Sequence, residues 1–377
     1  MILELTQEQR VARDQFRAFA QAEVAPFADQ WDREEAIPPE IIRKLADCGW
    51  LGSIVPAEHG GQAMDLVTYG LLTEEIGRAC SSTRSLLTVH DMACTGILRW
   101  GSRAQREHWL PKLVRGEVIG AFALSEPDAG SDAKGVKTTA EKDGDVYVVN
   151  GSKKWITFAQ IADLFLLFLQ CEGKPTAFLI ERDTPGLTIN PIKGILGTRA
   201  SMLGELILDN CRVPAENMVG RIGFGVSHVV GAALEHGRYS VACGSVGIAQ
   251  ACLDACLEYS RGREQFGKPL FDHQLVRAMI SDMIVQVRAA RLMCLRSGYL
   301  RQQNDPNSFM ETMAAKYLAS TVAAKAATDA VQIHGANGCT EGFPVSRYFR
   351  DAKVMEIIEG STQIQQMTIA RFEFQEF

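Results

Sequence analysis

A carboxylate set among apolar residues and followed by glycine is the first candidate for chemistry in this chain. In Arg350-Asp351-Ala352-Lys353-Val354-Met355-Glu356-Ile357-Ile358-Glu359-Gly360-Ser361-Thr362-Gln363-Ile364-Gln365, an apolar run leads to Glu359. Gly360 allows the backbone to approach a ligand closely, and Ser361 or Thr362 can cap a helix over 364–372. A carboxylate with apolar neighbours at a helix start loses hydration and can accept a proton near neutral pH. A solvated acid beside a turn has the same local sequence, so the stretch acquires meaning only from its companions. Ser125, within Phe122-Ala123-Leu124-Ser125-Glu126-Pro127-Asp128-Ala129-Gly130-Ser131-Asp132-Ala133-Lys134-Gly135, offers a hydroxyl on a strand-like segment. Thr157, within Asn150-Gly151-Ser152-Lys153-Lys154-Trp155-Ile156-Thr157, offers another, and Trp155 a planar face. Taken singly, Trp155 is equally a core residue and Ser125 a strand-edge hydroxyl.

Other chemistries find little support. The 10 cysteines are scattered without a Cys-x-x-Cys pair, and the 7 histidines form no His-x-x-x-His. Cys252 and Cys256 lie one helical turn apart, which suits buried free thiols in a reducing cytoplasm better than a zinc site. No metal is expected. Lys and Arg number 39 against 45 Asp and Glu, for a net charge of -6, so a basic nucleic-acid footprint is missing. No uninterrupted apolar run approaches membrane-spanning length. Met1-Ile2-Leu3-Glu4-Leu5-Thr6 lacks the basic start of a signal peptide. A cytoplasmic protein with neither nucleic-acid nor membrane partner is expected.

The elements that must position these residues fall into a helical, β, helical order, with domains expected at 1–118, 119–223 and 224–377. Thr6 and Gln9 form a capping-box pattern ahead of Val11, Phe16, Phe19 and Ala20. Pro26 is expected to end that helix, Pro38-Pro39 to open the next, and Gly49 and Gly52 to close it. Helical patterns follow at 65–79, 83–100 and 103–115. Strand texture then takes over. Val146-Tyr147-Val148-Val149 leads into Asn150-Gly151, a hairpin signal. Strands are expected at 164–169, 176–180, 187–192 and 206–208, in an antiparallel domain of common size. Long apolar-striped helices return at 274–300 and 307–334, which argues for a helical bundle.

The three stretches around Ser125, Trp155 and Glu359, with Arg263-Glu264-Gln265-Phe266-Gly267 between them, resemble the acyl-CoA dehydrogenase family of flavoproteins. The resemblance covers nearly the full length in the same order, and the 122–135 stretch carries the family's signature. It implies an α+β fold with an N-terminal helical domain, a middle antiparallel β domain and a C-terminal four-helix bundle. The implied cofactor is FAD. Phe122, Leu124, Ser125, Gly130 and Ser131 would line the flavin or the thioester path, and Trp155 and Thr157 would contact the flavin ring. Arg263, Gln265, Phe266 and Gln274, with a second segment containing Gln332 and Gly335, would reach the pyrophosphate and adenine in a neighbouring subunit. Ser361 and Gln363 would sit beside the cofactor. Ser131, Glu235, Arg238, Ile358 and Gly360 are expected along the substrate. Arg263 can meet the pyrophosphate with a forked hydrogen-bond pair. A homotetramer or homodimer is implied.

The resemblance also implies a reaction, the α,β-dehydrogenation of an acyl thioester with Glu359 as base. In the family, a flavin hydroxyl and the backbone N–H of that glutamate polarise the thioester oxygen. Some members place the base on another helix, just before an arginine. Here that place is Gly237 in Glu235-His236-Gly237-Arg238, which carries no carboxylate. Glu235 and Glu356 are otherwise ion-paired helix residues. Two departures stand out. Ala336 and Cys339 replace a glycine and an aromatic, and Ile358 stands where tyrosine is common. Phrases such as Cys80-Ser81-Ser82-Thr83-Arg84-Ser85, Gly237-Arg238-Tyr239-Ser240-Val241-Ala242 and Asp272-His273-Gln274-Leu275-Val276 look like one branch of the family. That branch oxidises small polar acyl groups on acyl carrier proteins, as in making hydroxymalonyl, methoxymalonyl or aminomalonyl extender units. An ordinary short-chain acyl-CoA dehydrogenase is the alternative, with a non-catalytic interaction subunit and a flavin monooxygenase or oxidase further off. An electron-transfer flavoprotein or another acceptor would reoxidise the flavin.

Overall fold

The computed structural model describes residues 4–376. Residues 1–3, on which part of the signal-peptide reading rests, and residue 377 lie outside the described residues. Six α-helices come first: α1 (Gln7–Phe19), α2 (Ala28–Glu34), α3 (Pro39–Asp47), α4 (Leu66–Ala79), α5 (Ser81–Trp100) and α6 (Arg103–Val114). Thr6 and Gln9 make the predicted capping box on α1, and Ser102 and Gln105 make a second on α6. Pro39 occupies the first turn of α3, where its missing N–H is no loss. Pro26 does not stop the chain as expected. It sits near the start of a 3-10 turn, Ala25–Phe27, that follows a π-turn and leads directly into α2. A first-turn position spares proline its clash, so the helix changes pitch instead of ending.

Eight strands then form one sheet: β1 (Gly120–Ala123), β2 (Thr139–Asp143), β3 (Val146–Ile156), β4 (Leu164–Cys171), β5 (Lys174–Glu181), β6 (Leu187–Pro191), β7 (Gly204–Pro214) and β8 (Met218–Val219). Their order is β6-β7-β3-β2-β4-β5-β8, with β1 beside β4. Most pairs are antiparallel, but β1 and β2 both run parallel to β4. β4 is buried along its length because its two faces meet two cores. Leu164, Leu166 and Phe168 join α5 and α6, while Phe165, Leu167 and Leu169 fill the interior of the β layer. A strand buried on both faces reads as a continuous apolar run.

The Asn150-Gly151 pair is not a hairpin turn. β3 passes straight through it, with a bulge in its register against β7. The Asn150 side chain accepts from the Asn210 N–H at 2.7 Å, and Gly151 takes φ 144° with the Thr138 side chain where a Cβ would be. The β2–β3 hairpin turns instead at Gly144-Asp145, between the paired Asp143 and Val146. Asn-Gly supplies the left-handed freedom that a bulge needs as readily as that of a turn.

The chain ends in helices. A π-turn (Gly225–Val230) leads into α7 (Gly231–Gly262), followed by the short hairpin β9 (Glu264–Gln265) and β10 (Lys268–Pro269). Then come α8 (Gln274–Gln302), α9 (Ser308–His334), α10 (Val345–Met355) and α11 (Thr362–Glu376). α7 is the axis of the molecule. Gly77 of α4 meets Gly244, and a Cβ on Gly247 would lie 2.2 Å from the Glu74 carbonyl, so small residues bring α4 and α7 into backbone contact. The stretch Gly225–Gly262, with hydropathy 1.4, is long and apolar enough to cross a membrane, which the run-length reading passed over; 78% of its apolar window is buried inside the fold, as in a core helix.

Candidate active site

Glu359 sits in the turn between α10 and α11, and two successive left-handed residues make that turn. Glu359 has φ 54° and Gly360 φ 91°. Only Gly360 adopts this at no steric cost, and at Glu359 the strain is held by surrounding bonds. Arg238 Nε of α7 donates to the Glu359 carbonyl at 3.2 Å. Lys316 Nζ of α9 donates to the Gly360 carbonyl at 2.8 Å, and the buried Gln365 amide reaches both carbonyls. Ser361 caps α11 as expected, its Oγ accepting from the Ile364 N–H at 3.4 Å.

The carboxylate itself is treated differently. Its Oε2 is sealed from solvent without a hydrogen-bond partner. The Glu359 side chain lines a cavity of about 1010 Å³, at the upper end of what ligand pockets span, and neither of its oxygens has a hydrogen bond among the described residues. Burial pushes the Glu359 carboxyl up to about 7, with Arg238, Arg84 and Lys316 opposing the shift. Burial also pushes Lys316 down to about 8 and Arg84 to about 10. Gly237 is the other partner of this geometry. A Cβ there would stand 2.6 Å from Glu359 Oε2 and 2.7 Å from Met92 Sδ. The two helices that could carry a carboxylate therefore converge on one point, and glycine at 237 makes room for the side chain from 359.

The opposite wall is built by the β layer. Glu126 is the anchor: it accepts from the Lys137 N–H (2.6 Å), the Thr138 N–H (3.0 Å) and the buried Lys153 Nζ (2.7 Å). Burial would raise the Glu126 carboxyl, but these donors hold it below the usual range. Lys153 also donates to the Leu124 carbonyl, so the loop from Ser125 to Ser131 is tied to β3. Trp155 near the end of β3 has φ 64° and an indole 53% exposed, with Lys154 5.4 Å over its ring. Ser201 presents a buried, unpartnered hydroxyl in the same cavity wall. An aromatic turned outward on a strained backbone, beside the Ser125, Ser131 and Thr157 hydroxyls and an orphaned one, fits a planar cofactor with hydrogen-bonding edges such as a flavin.

Twelve of the sequence-expected residues line this one cavity: Phe122, Leu124, Ser125, Gly130, Ser131, Trp155, Thr157, Arg238, Ile358, Glu359, Gly360 and Ser361. The others do not. Glu235, expected along the substrate, is turned to Arg301 Nε at 3.4 Å and does not reach the cavity. Gln363 is exposed on α11. Arg263, Gln265, Phe266 and Gln274 lie exposed around the β9–β10 hairpin, with Phe266 95% exposed. Gln332 and Gly335 lie at the end of α9. These last two groups are neighbours: Tyr259, one turn before Arg263, donates to the His334 carbonyl at 3.3 Å and accepts from Asn337.

Several cavity residues escaped the sequence reading. Arg84, Ser85 and Thr88 of α5 line it. Ser201, in the cavity wall, and Lys316, which holds the Gly360 carbonyl behind it, were not singled out either. The available signal was a polar face on a helix whose residues 81–97 are all buried. Arg84 is 1% exposed. It donates to Thr88 Oγ1 at 3.0 Å and Ser85 Oγ at 3.1 Å, and its Nε has no partner.

A helical–β–helical fold around this site defines a FAD-dependent oxidoreductase acting on the CH–CH bond of acyl thioesters. The chain belongs to the acyl-CoA dehydrogenase family, whose N-terminal, middle and C-terminal domains match residues 6–117, 121–211 and 224–374. It is 39% identical to a glutaryl-CoA dehydrogenase of Desulfococcus multivorans, covering 98% of this chain and 97% of the relative. It is 37% identical to the mitochondrial short-chain specific acyl-CoA dehydrogenase of Mus musculus, covering 98% and 90%. Among solved structures, a glutaryl-coenzyme A dehydrogenase with glutaryl-CoA superimposes at TM-score 0.96 with 39% identity, over 100% of this chain and 97% of that one. FkbI, for biosynthesis of the methoxymalonyl extender unit of a polyketide immunosuppressant, superimposes at 0.89 with 36% identity, over 95% and 99%.

The buried carboxyl has a consequence for stability. The folded chain holds a proton on Glu359 between pH 4.5 and about 7 that the unfolded chain has released. Stability contributed by this group is therefore fully present below that window and is lost as pH rises through it. Glu359→Gln removes the titration. Its Tm relative to wild type should rise between pH 5 and pH 8, measured by calorimetry on holoenzyme; a difference independent of pH contradicts the buried-carboxyl assignment.

Proposed function

We propose that this chain oxidises the Cα–Cβ bond, or an equivalent position, of a short polar acyl group carried as a thioester on an acyl carrier protein. The observation that carries the dehydrogenase chemistry is the Glu359 carboxyl, set in the cavity wall with no hydrogen bond to either oxygen among the described residues. Such an oxygen is free to take the α-proton, and its raised proton affinity suits a base working near neutral pH. The α C–H is a weak acid, so the thioester oxygen needs a donor. The Glu359 N–H makes no hydrogen bond among the described residues and sits on the same turn. One such fixed donor is worth about 3 kcal/mol at a developing enolate. Bound FAD supplies the acceptor for the hydride leaving the β-carbon. Ser125, Ser131, Thr157 and Trp155 would hold it, with Phe122, Leu124, Gly130 and Ser361 completing its surroundings.

Arg84 supports the polar acyl group. A buried guanidinium held by hydroxyls, with no carboxylate bonded to it, puts positive charge in the cavity wall. A carboxylate or hydroxyl at the far end of the acyl chain would pair with that charge. Ile358, half-buried beside Glu359, narrows the same space. The second reading is a short-chain or glutaryl-type acyl-CoA dehydrogenase, favoured by the names of the 39% and 37% identical relatives. The likeness to FkbI favours the carrier protein. An electron-transfer flavoprotein or another acceptor takes the electrons, and the ten free cysteines suit a reducing cytoplasm.

A homo-oligomer is part of this reading, supported by the separation of Arg263, just past the end of α7, from Arg238, two turns inside its start, roughly 37 Å along the helix. Residues at the β9–β10 hairpin would then serve the cofactor of a neighbouring copy, which would cover Phe266 and Leu275, both exposed in the single chain.

Three outcomes test the reading. Glu359→Gln should keep its flavin and slow flavin reduction by at least about a thousandfold, on the order of 4 kcal/mol, while Glu356→Gln and Glu235→Gln stay near wild type in stopped-flow traces. Arg84→Met should lower kcat/KM at least about thirtyfold for a carboxylated or hydroxylated acyl thioester, since truncating a buried charged contact costs about 2–5 kcal/mol, and should spare the butyryl thioester; equal losses on both place Arg84 outside recognition. Finally, one acyl group presented on both carriers should reduce the flavin with higher kcat/KM from the carrier protein. If the CoA thioester matches or beats it, the plain acyl-CoA reading stands.

A further inference from the structure

α5 and α7 run antiparallel as a continuous ladder. Arg84 lies against Gly244, Thr88 Oγ1 is 2.6 Å from Ser240 Oγ, and Asp91 is 3.8 Å from His236. Further along, Gly96 faces Val229, and Trp100 packs edge-on against His228 at 4.8 Å and Phe224 at 5.7 Å. The first rungs line the cavity, through Ser85, Thr88 and Val89 on one helix and Leu234 and Arg238 on the other. The last rung is an aromatic cluster at the surface. Trp100 packs on the same core as the cavity-lining Phe122, Ala133 and Leu234, so cluster and cavity share one wall.

One cation, Arg221, stands on the cluster, and two more, Lys174 of β5 and Arg99 of α5, lie on the adjoining elements. Arg221 is exposed and lies 4.1 Å over the Phe224 ring, which is itself stacked on His228 at 4.0 Å. The turn that presents them is set by Gly220 at φ 77° and Gly223 at φ 86°, and the Lys174 side chain packs against Gly223. Arg99 precedes Trp100 and is exposed. Arg99, Lys174 and Arg221 make no ion pair among the described residues. On a chain of net charge -6, three exposed, unpaired cations near these half-buried rings form a local field of opposite sign.

The distance matches a specific ligand arm. From Val89 to Trp100 along a helix is about 16 Å. A pantetheine arm has thirteen bonds between thioester sulfur and phosphorus, also about 16 Å when extended at the per-bond reach of an extended chain. We propose that the Trp100–Phe224–His228 cluster, with Arg99, Lys174 and Arg221, is the docking surface for an acidic acyl carrier protein, meeting it where its phosphopantetheine arm enters. This rests on the carrier-protein reading above. The partner is a small acidic domain whose carboxylates face the three cations and whose phosphodiester lies over the rings.

The test is the double variant Arg221→Glu/Lys174→Glu in the flavin-loaded enzyme. Steady-state kinetics use one acyl group on three thioesters: the carrier protein, CoA, and pantetheine without phosphate. The carrier-protein kcat/KM should fall at least tenfold, and its dependence on ionic strength should flatten. Values with pantetheine and CoA should stay within twofold of wild type. The charge-conserving Arg221→Lys/Lys174→Arg variant should recover the carrier-protein rate. No fall with the carrier protein overturns the proposal, and so does an equal fall with pantetheine. An equal fall with CoA overturns it as well, because the cluster then reads phosphate alone. A wild-type enzyme that prefers the CoA thioester defeats the carrier-protein reading itself, which is a separate result from a wild type that prefers the carrier protein but is indifferent to the variant.

Discussion

A carboxylate with one oxygen sealed from water and no hydrogen bond to either sets the terms for the structure around it. Glu359 Oε2 is sealed and unpartnered. An unpaired polar group of this kind costs about 1–3 kcal/mol, more when charged, and the fold must supply that from elsewhere. Three cations stand near, yet the bonds they make go to other acceptors, Arg238 and Lys316 to backbone carbonyls and Arg84 to hydroxyls, and none goes to the carboxylate. They lend a positive field without a direct bond to the carboxylate. A salt bridge would hold the carboxyl protonless far below neutrality and occupy the oxygen. The arrangement requires α5, α7 and α9 to converge on one turn. It also requires that turn to be left-handed at two successive residues. The glycine at 237 follows from the same demand, since any side chain there enters the space of the carboxylate.

Much of this was legible in the sequence, because the signals were local or periodic. α4, α5, α8 and α9 follow from helical spacing, the α1 cap from Thr6 and Gln9, and β4 from an unbroken apolar run. The cavity-lining set around Ser125, Trp155 and Glu359 came from spelled-out motifs. What was lost depended on tertiary context. Asn150-Gly151 has turn chemistry but a neighbouring strand, β7, that turns it into a bulge. Pro26 looked like a stop until its position in a first turn made it harmless. Glu235 shares a helix with Arg238 and looked equally placed for substrate, but its face of α7 looks toward Arg301.

Arg84 and Lys316 show the same limit from the other side. A cation inside a helix reads as a solvated face residue, and only packing reveals that α5 and α9 bury these positions. Likewise, the hairpin around Arg263 and the end of α9 are some 70 residues apart in sequence, and it is the Tyr259 hydroxyl, bonded to both His334 and Asn337, that makes them one surface. No periodicity encodes that bond.

The glycine contacts between α4 and α7 bear on how the chain is made. α4 and α5 bury their faces against α7, and Tyr69 of α4 belongs to the same core as residues of α8, α9 and α10. During synthesis those faces emerge first and wait for roughly 160 further residues, about 10–30 s at ordinary translation rates. For that interval the N-terminal helices present an apolar surface that nothing yet made can cover. A pause in synthesis between the β layer and α7 would lengthen the time for which those faces stay uncovered.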